Sequence, residues 1–333
     1  MGKLAPEELQ KLLGCIKTNQ QVIVPPLAGY DSGVHLLGDK YIVVSTDPCT
    51  NVPKEWFGWL LINYAASDVA LFGAKPEFCT LNLLGPLGTE AEVFQSAMKQ
   101  ACNAADELGM AIVTGHTATY SSISKLVGVC TAYGTVKPEK LITPAKAEAA
   151  DYILCTKTTG LETLVNFSLT HKALAQKLFG AEPAEKLAEQ VHMQSCVKEA
   201  LQLAENIGVH AMHDATEGGI VAALNEVAEA SKLGFRIEFE KIPISPQMHK
   251  LQEHFGLSDE QVMAASSTGT ILAAVAPHAK EEAKEALHKM GVAASFLGIF
   301  TKNKNRVLTK KVKDMPFPKT ADDPYGRIFS GKV

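Results

Sequence analysis

Residues 110–135 read MAIVTGHTATYSSISKLVGVCTAYGT. Two β-rich runs, 110–114 and 126–135, stand in this stretch with a polar turn between them and no helical period. A doubly wound parallel sheet needs a helical crossover between successive strands. Here strand follows strand without one, so the pattern predicts an α+β fold.

Outward from this stretch the same grammar recurs. Upstream, 90–108 is an amphipathic helix ending at Gly109, 78–84 a strand, and 56–72 a helix with apolar residues at core spacing. Residues 34–37 and 41–45 read as strands around a Gly38-Asp39 turn, a hairpin. The prolines of VIVPPL (22–27) keep that segment extended, and 7–17 is a short helix with Pro6 near its first turn. Downstream, 137–150 mixes prolines with charge and reads as a boundary. Beyond it come strands at 152–156, 235–240, 269–275 and 294–300. Helices are predicted at 161–179, 183–207 and 280–290, and a further one opens from AMHDATEGGIVAALNEVAEAS (211–231). The Pro- and charge-rich tail from Asp314 reads as an irregular extension. The expected organisation is two α+β domains, 1–145 and 146–333.

Bulk properties agree. A chain of 333 residues exceeds what one core usually supports. It is 46% hydrophobic and 20% charged, ordinary for a globular protein. A net charge of −4 offers no basic field for nucleic acid or an anionic membrane. Seven cysteines, an odd number with no CxxC, suit reduced, mostly buried thiols of a cytoplasmic protein rather than a zinc site. The charged, helical N-terminus MGKLAPEELQKLLGCIK is unlike a signal peptide. Charge or glycine interrupts every apolar run before about 18 residues, so no membrane span is expected.

The chemistry-bearing residues sit where acids are costly. Asp31 lies between two glycines in AGYDSGV, and Asp47 follows an apolar strand in STDPCT. Asp68 lies inside the otherwise apolar helix of NYAASDVALFGAKP, and His116 follows a strand in VTGHTATY. A buried carboxylate needs a partner, and a divalent cation would hold it ionised. Aspartates near strand ends suit Mg²⁺, which takes a few carboxylates plus phosphate oxygens and water. In 211–231, Asp214 and Glu217 precede Gly218 and Gly219 at a helix mouth, where free N–H groups favour anions. Read singly, Asp31 and Asp47 also suit turns or caps, Asp68 a buried salt bridge, and His116 a structural role. Asp214 likewise suits an N-cap, with Glu217 completing a capping box.

Taken in order, GxDxxV (29–34), STDP (45–48), SDxAxFGAKP (67–76), GHT (115–117) and HDxTEGG (213–219) resemble the AIR synthase-like (PurM-like) superfamily. That superfamily includes aminoimidazole ribonucleotide synthetase, selenophosphate synthetase, thiamine monophosphate kinase and the hydrogenase maturation protein HypE. The last motif and STDPCT are most similar to HypE and AIR synthase-related proteins. The resemblance implies an N-terminal domain that homodimerises through a shared β-barrel and a C-terminal α+β domain, with ATP and Mg²⁺ in a cleft near the dimer interface. By resemblance, Asp31, Asp47 and Asp68 would hold Mg²⁺ and the ATP phosphates. Asn63, Gly115, His116 and Thr117 would lie against the nucleotide, and Asp214, Glu217, Gly218 and Gly219 would form the second-domain wall. Asp68 and Asp214 are the candidate catalytic groups.

Departures refine the expectation. Asp47 is followed by Pro48-Cys49-Thr50-Asn51, not the GVGTK-type stretch of aminoimidazole ribonucleotide synthetase. LLGCIK around Cys15 does not match the selenophosphate synthetase loop. HypE ends in a cysteine that carries the carbamoyl group, whereas no cysteine follows Cys196 here. Ala118 stands where the related branch often has an acid, and His116 where several relatives carry Asp. The expected activity is Mg-ATP-dependent phosphorylation or activation of a small substrate of unknown identity. The alternatives are a nucleotide-binding partner of a maturation factor, or a thiamine monophosphate kinase-like phosphotransferase.

Overall fold

The Gly38-Asp39 hairpin is present, and the strands around it run further than their apolar residues suggest. The computed structural model describes residues 6–206 and 208–330. Ile207, where the 183–207 helix was expected to end, and the extreme ends of the tail and N-terminus lie outside them. The chain divides into two compact units. One comprises Lys17–Pro26 and Asp31–Leu141; the other comprises the described residues of Met1–Ile16, Leu27–Tyr30 and Ile142–Val333. Helix α1 (Pro6–Leu13) is shorter than the expected 7–17 because Gly14 ends it in a turn.

In the first unit, β1 (Val22–Val24), β2 (Gly33–Leu37), β3 (Lys40–Cys49), α2 (Phe57–Leu71), β4 (Lys75–Pro86), α3 (Ala91–Leu108), β5 (Ala111–Tyr120) and β6 (Val127–Val136) follow in order. The six-stranded sheet has the order β1-β2-β3-β6-β4-β5. Only β4 and β5 are parallel, joined by the α3 crossover; the other pairs are antiparallel. The two strands of the 110–135 stretch therefore do not pair, because β4 lies between them. Helix α2 is apolar all round, and every residue in it except Tyr64 is buried. Helix α3 clamps it: Gln100 Oε1 accepts from the Gly58 N–H at 2.8 Å, and Trp59 Nε1 donates to Glu107 Oε2 at 3.0 Å.

Two expectations are corrected here. Asp47 does not follow a strand; β3 continues to Cys49, pairing Asp47 with Cys130 and Pro48 with Val129. Ser45, Asp47 and Cys49 alternate with exposed Thr46 and Pro48, a period of two that the proline and polar residues disguised. His116 likewise lies inside β5, which runs on to Tyr120 along the sheet edge. That strand is largely exposed, so its polar residues carried no apolar alternation.

The second unit contains β7 (Tyr152–Thr156), α4 (Leu161–Thr170), α5 (Lys172–Phe179), α6 (Ala181–Glu189), α7 (Val197–Ala204), β8 (Val209–Asp214) and α8 (Gly219–Ser231). It continues with β9 (Gly234–Glu238), α9 (Pro246–Phe255), α10 (Asp259–Met263), β10 (Ile271–Val275), α11 (Lys280–Lys289) and β11 (Ala294–Thr301), then β12 (Arg306–Lys310), β13 (Lys313–Pro316) and α12 (Tyr325–Ser330). Its seven-stranded sheet has the order β13-β12-β9-β11-β7-β10-β8. Only β12 and β9 are parallel.

Both long helices expected in this unit are broken. Residues 161–179 split at His171 into α4 and α5. Residues 183–207 become α6, a 3-10 segment (Gln190–Gln194) and α7. The second break is held by Lys157, whose buried ammonium donates to the carbonyls of Met193 (2.7 Å), Ser195 (2.8 Å) and Gly269 (2.8 Å) and pairs with Glu199. The Met193 and Ser195 carbonyls are thereby drawn out of the helical ladder, which periodicity cannot reveal. The tail is not irregular: it supplies β13 and α12. Helices α9 and α10 are both marked by local capping signals. Ser245 caps α9 ahead of Pro246, and Ser258 with Gln261 forms a capping box on α10.

Cys15 and Cys102 are exposed, while Cys49, Cys79, Cys130, Cys155 and Cys196 are buried. Burial pushes the Cys155 thiol up to about 12. Thiol titration of the native protein at neutral pH is therefore expected to show two fast-reacting groups and release the other five only on denaturation. A third fast thiol would contradict this packing.

Candidate functional site

In the first unit the site begins on the face of β3 that α2 covers. Asp68, 4% exposed in α2, accepts a hydrogen bond from Ser45 Oγ to its Oδ2 at 2.6 Å. Ser45 and Asp47 are two apart on one strand and so share a face. Two acids from separate motifs, one on a strand and one on a helix, thus meet on the same side of the sheet, with the Ser45 hydroxyl oriented onto one of them. Asp31 enters the sheet at the start of β2, where Gly33 pairs with Val44, placing the chain at Asp31 beside the Ser45–Asp47 end of β3.

Cys130 stands directly across from Asp47. Its thiol is held well above its ordinary range, first by its hydrogen bond with Cys79, then by burial, with the charge of Asp47 among the smaller causes. It is a protonated packing residue rather than a nucleophile. Asn63 is buried, and its amide Nδ2 donates to Trp59 O at 3.0 Å, one turn back in α2.

The structure does not bring His116 to these acids. Strand β5 is three strands from β3, about 14 Å. Cross-strand partners share a face, and the chain of pairs His116–Asn82–Val129–Pro48 puts His116 on the side of the sheet away from Asp47. There His116 Nε2 lies 3.0 Å from Tyr120 OH. Thr117 is exposed beside it. Gly115 has a packing reason of its own: a Cβ there would sit 2.3 Å from Leu81 O.

In the second unit, β8 ends at Asp214, which is buried and pairs with Ile271. The N-cap of α8 is Gly218 (φ 80°), without a side-chain cap, so Asp214 does not cap this helix and no Asp214–Glu217 capping box forms. Glu217 is exposed. The Gly218 N–H donates to Asp323 Oδ2 at 3.2 Å, and Asp323 also accepts from Ser266 Oγ (2.5 Å) and Tyr325 N (2.9 Å). The affinity of this helix mouth for a negative group is therefore expressed within the chain. The Gly219 N–H turns back to Thr216 O at 3.0 Å. Gly219 itself (φ +54°) is required by packing, since a Cβ would lie 2.5 Å from Met263 O.

Sequence reasoning missed Asp323 and Glu226. Glu226 Oε2 lies 3.0 Å from Nε2 of buried His213, whose Nδ1 is 2.8 Å from Asp214 O. The available signal for Glu226 was a polar pair, Asn225-Glu226, interrupting an apolar helical run; Asp323, distant in sequence, had none.

Comparison with known proteins fits this architecture. Residues 29–136 match the AIR synthase related protein, N-terminal domain, and residues 149–311 match the C-terminal domain of the same description. A hydrogenase expression/formation protein of Methanocaldococcus jannaschii is 28% identical over 317 residues, covering 90% of this chain and 88% of the relative. A selenide, water dikinase of Carboxydothermus hydrogenoformans is 25% identical over 340 residues, covering 93% and 95%. Among solved structures, E. coli HypE superposes with a TM-score of 0.74 at 24% identity, covering 86% of this chain and 88% of that one. HypE in complex with ATP gives 0.72 at 19% identity, covering 94% and 91%. The HypE–HypF complex gives 0.69 at 19% identity, covering 87% and 93%. No helix among the described residues is long and apolar enough to cross a membrane. With both domain signatures present in order and the two mixed α+β units in place, the chain belongs to the AIR synthase-related (PurM-like) family.

Proposed function

We propose that this protein is a Mg²⁺-ATP-dependent enzyme that phosphorylates a small substrate or activates it through a phosphate intermediate. The observation that carries the reading is the buried Asp68 carboxylate, oriented by Ser45 on the face it shares with Asp47. An all-oxygen donor set on a rigid helix and strand fits a hard cation. Asp31, Asp47 and Asp68 would hold Mg²⁺, which when bound neutralises charge on phosphate oxygens. The chain's own work is to position: Ser45 keeps Asp68 aimed, and β3 and α2 keep the acids from relaxing. Within the second unit, Asp214, Glu217, Gly218 and Gly219 are the residues we assign to nucleotide binding, and Asp68 and Asp214, each in its own unit, are the candidates for moving a proton. The ATP complex of a HypE with the same fold supports the nucleotide.

The exposed edge of β5 supports a homodimer. Ten residues of strand, including Gly115, His116 and Thr117, offer one edge that pairs with no other strand among the described residues, and natural sheets rarely leave such an edge uncovered. The HypE–HypF complex among the structural relatives supports a maturation-factor partner. A second reading, a nucleotide-binding partner without turnover, is favoured by His116 standing away from Asp47. A thiamine monophosphate kinase-like transfer rests on GxDxxV alone. Calorimetry with Mg-ATP alongside phosphate release across a substrate panel separates them. Binding with turnover is the expected result, binding without turnover supports the partner, and no binding overturns both. Transfer to thiamine monophosphate would identify the third.

A further inference from the structure

A notch of about 250 Å³ opens among α4, α5 and α6, lined by Ser168, Lys172, Gln176, Ala184, Glu185 and Ala188. None of these residues belongs to the proposed Mg-ATP site. Ser168 is 2% exposed, and its hydroxyl makes no hydrogen bond. A buried hydroxyl in a helix is ordinarily satisfied, often by the carbonyl one turn back, and leaving it unmet is unfavourable. Around it stand an ammonium (Lys172), a carboxylate (Glu185) and a primary amide (Gln176). All three lie on exposed residues, and none has a side-chain partner among the described residues. Lys186, next to Glu185, does take an i,i+4 partner, Glu182 at 2.6 Å. Lys172 and Glu185 thus face one notch from neighbouring helices without closing onto each other.

Ala184 and Ala188, one turn apart on α6, keep the notch open where larger residues would fill it. The volume lies below the roughly 300–1,000 Å³ of drug-sized pockets, so the ligand is small.

We propose that this notch binds a free α-amino acid as a zwitterion. Its carboxylate meets the Lys172 ammonium and its ammonium meets the Glu185 carboxylate. Gln176 bridges at the rim and the Ser168 hydroxyl is satisfied at the floor. A simple carboxylate or a simple amine would engage only one charge and leave the other facing the notch empty.

The test is calorimetry on the full-length protein with the common L-amino acids at millimolar concentration, and with acetate and ethylamine as single-charge controls. Saturable binding of at least one amino acid, one per chain, is expected, with both controls at least ~10-fold weaker. Ala188→Leu should abolish binding by filling the notch. Lys172→Glu and Glu185→Lys, on exposed side chains, should each weaken it by ~10-fold or more, and the double charge swap should restore it. Ser168→Ala gives a signature that a structural serine would not. Removing an unmet hydroxyl should leave the melting temperature of the free protein unchanged or raised while amino-acid binding weakens. No saturable binding by any amino acid, equal binding of acetate, or binding indifferent to Ala188→Leu in a folded variant would each overturn the proposal. Because Mg-ATP is absent from every arm, failure here leaves the nucleotide reading untouched.

Discussion

Asp68→Asn abolishes Mg²⁺-dependent ATP hydrolysis, by more than about 10²-fold, in a protein that remains folded: that is the largest functional effect expected of any single substitution here. Asparagine keeps the shape of the side chain and an oxygen able to accept from Ser45 Oγ, so the 2.6 Å contact can survive. What it removes is the negative charge. Burying a neutral amide at a position 4% exposed costs less than burying a carboxylate, so the melting temperature should be unchanged or higher. Asp47→Asn should behave alike. Ser45→Ala, which removes only the group that aims Asp68, should lose ~10–100-fold. Phosphate release, read beside a melting curve, checks all three. Hydrolysis at the wild-type rate in a soluble, folded Asp68→Asn protein would remove the metal assignment outright.

The largest effect on stability is expected at Lys157. Its side chain is 3% exposed, and its ammonium donates to three backbone carbonyls and pairs with Glu199, whose side chain is 7% exposed. Lys157→Met strands a buried carboxylate and three carbonyls at once, for which about 3–5 kcal/mol is the usual scale. In a unit of this size that corresponds to a fall of roughly 6–20 °C in melting temperature. Combining it with Glu199→Leu removes the stranded charge and should recover part of the loss, so the two changes will not add. Denaturant titration of the singles and the double checks this. A Lys157→Met protein within about 1 kcal/mol of wild type would mean that the break before α7 is held by something else.

How much of this was legible depended on whether the signal was local. The apolar face of 90–108, the Gly109 stop and the Gly38-Asp39 turn are written within one window, and each formed as read. Strand β8 is hard to recognise in sequence because VHAMHD contains two histidines and an aspartate, yet His213 and Asp214 are buried in the sheet. The far end of strand β5 is hard to recognise for the opposite reason. Its residues look like a loop because they line an exposed edge. The candidate site is legible only as residue types in order: Asp47 and Asp68 stand out as acids in costly places, and Ser45, on the same strand face as Asp47, donates to Asp68. That His116 lies on the other face was not legible, because it depends on β6 and β4 intervening between β3 and β5.

By itself the amino-acid sequence determined the α+β class, the existence of two units, the family and the acids most worth testing. All of these follow from periodicity, turn chemistry and motif order along the chain. Only the tertiary structure decided which backbone groups are withdrawn from helices by Lys157, which carboxylate sits at the mouth of α8, and which face of the sheet each motif presents. The physical reason is common to all three. A buried charge or an open N–H is satisfied by whatever the fold brings within about 3 Å, and Asp323 reaches Gly218 across 105 residues of chain that no local window contains.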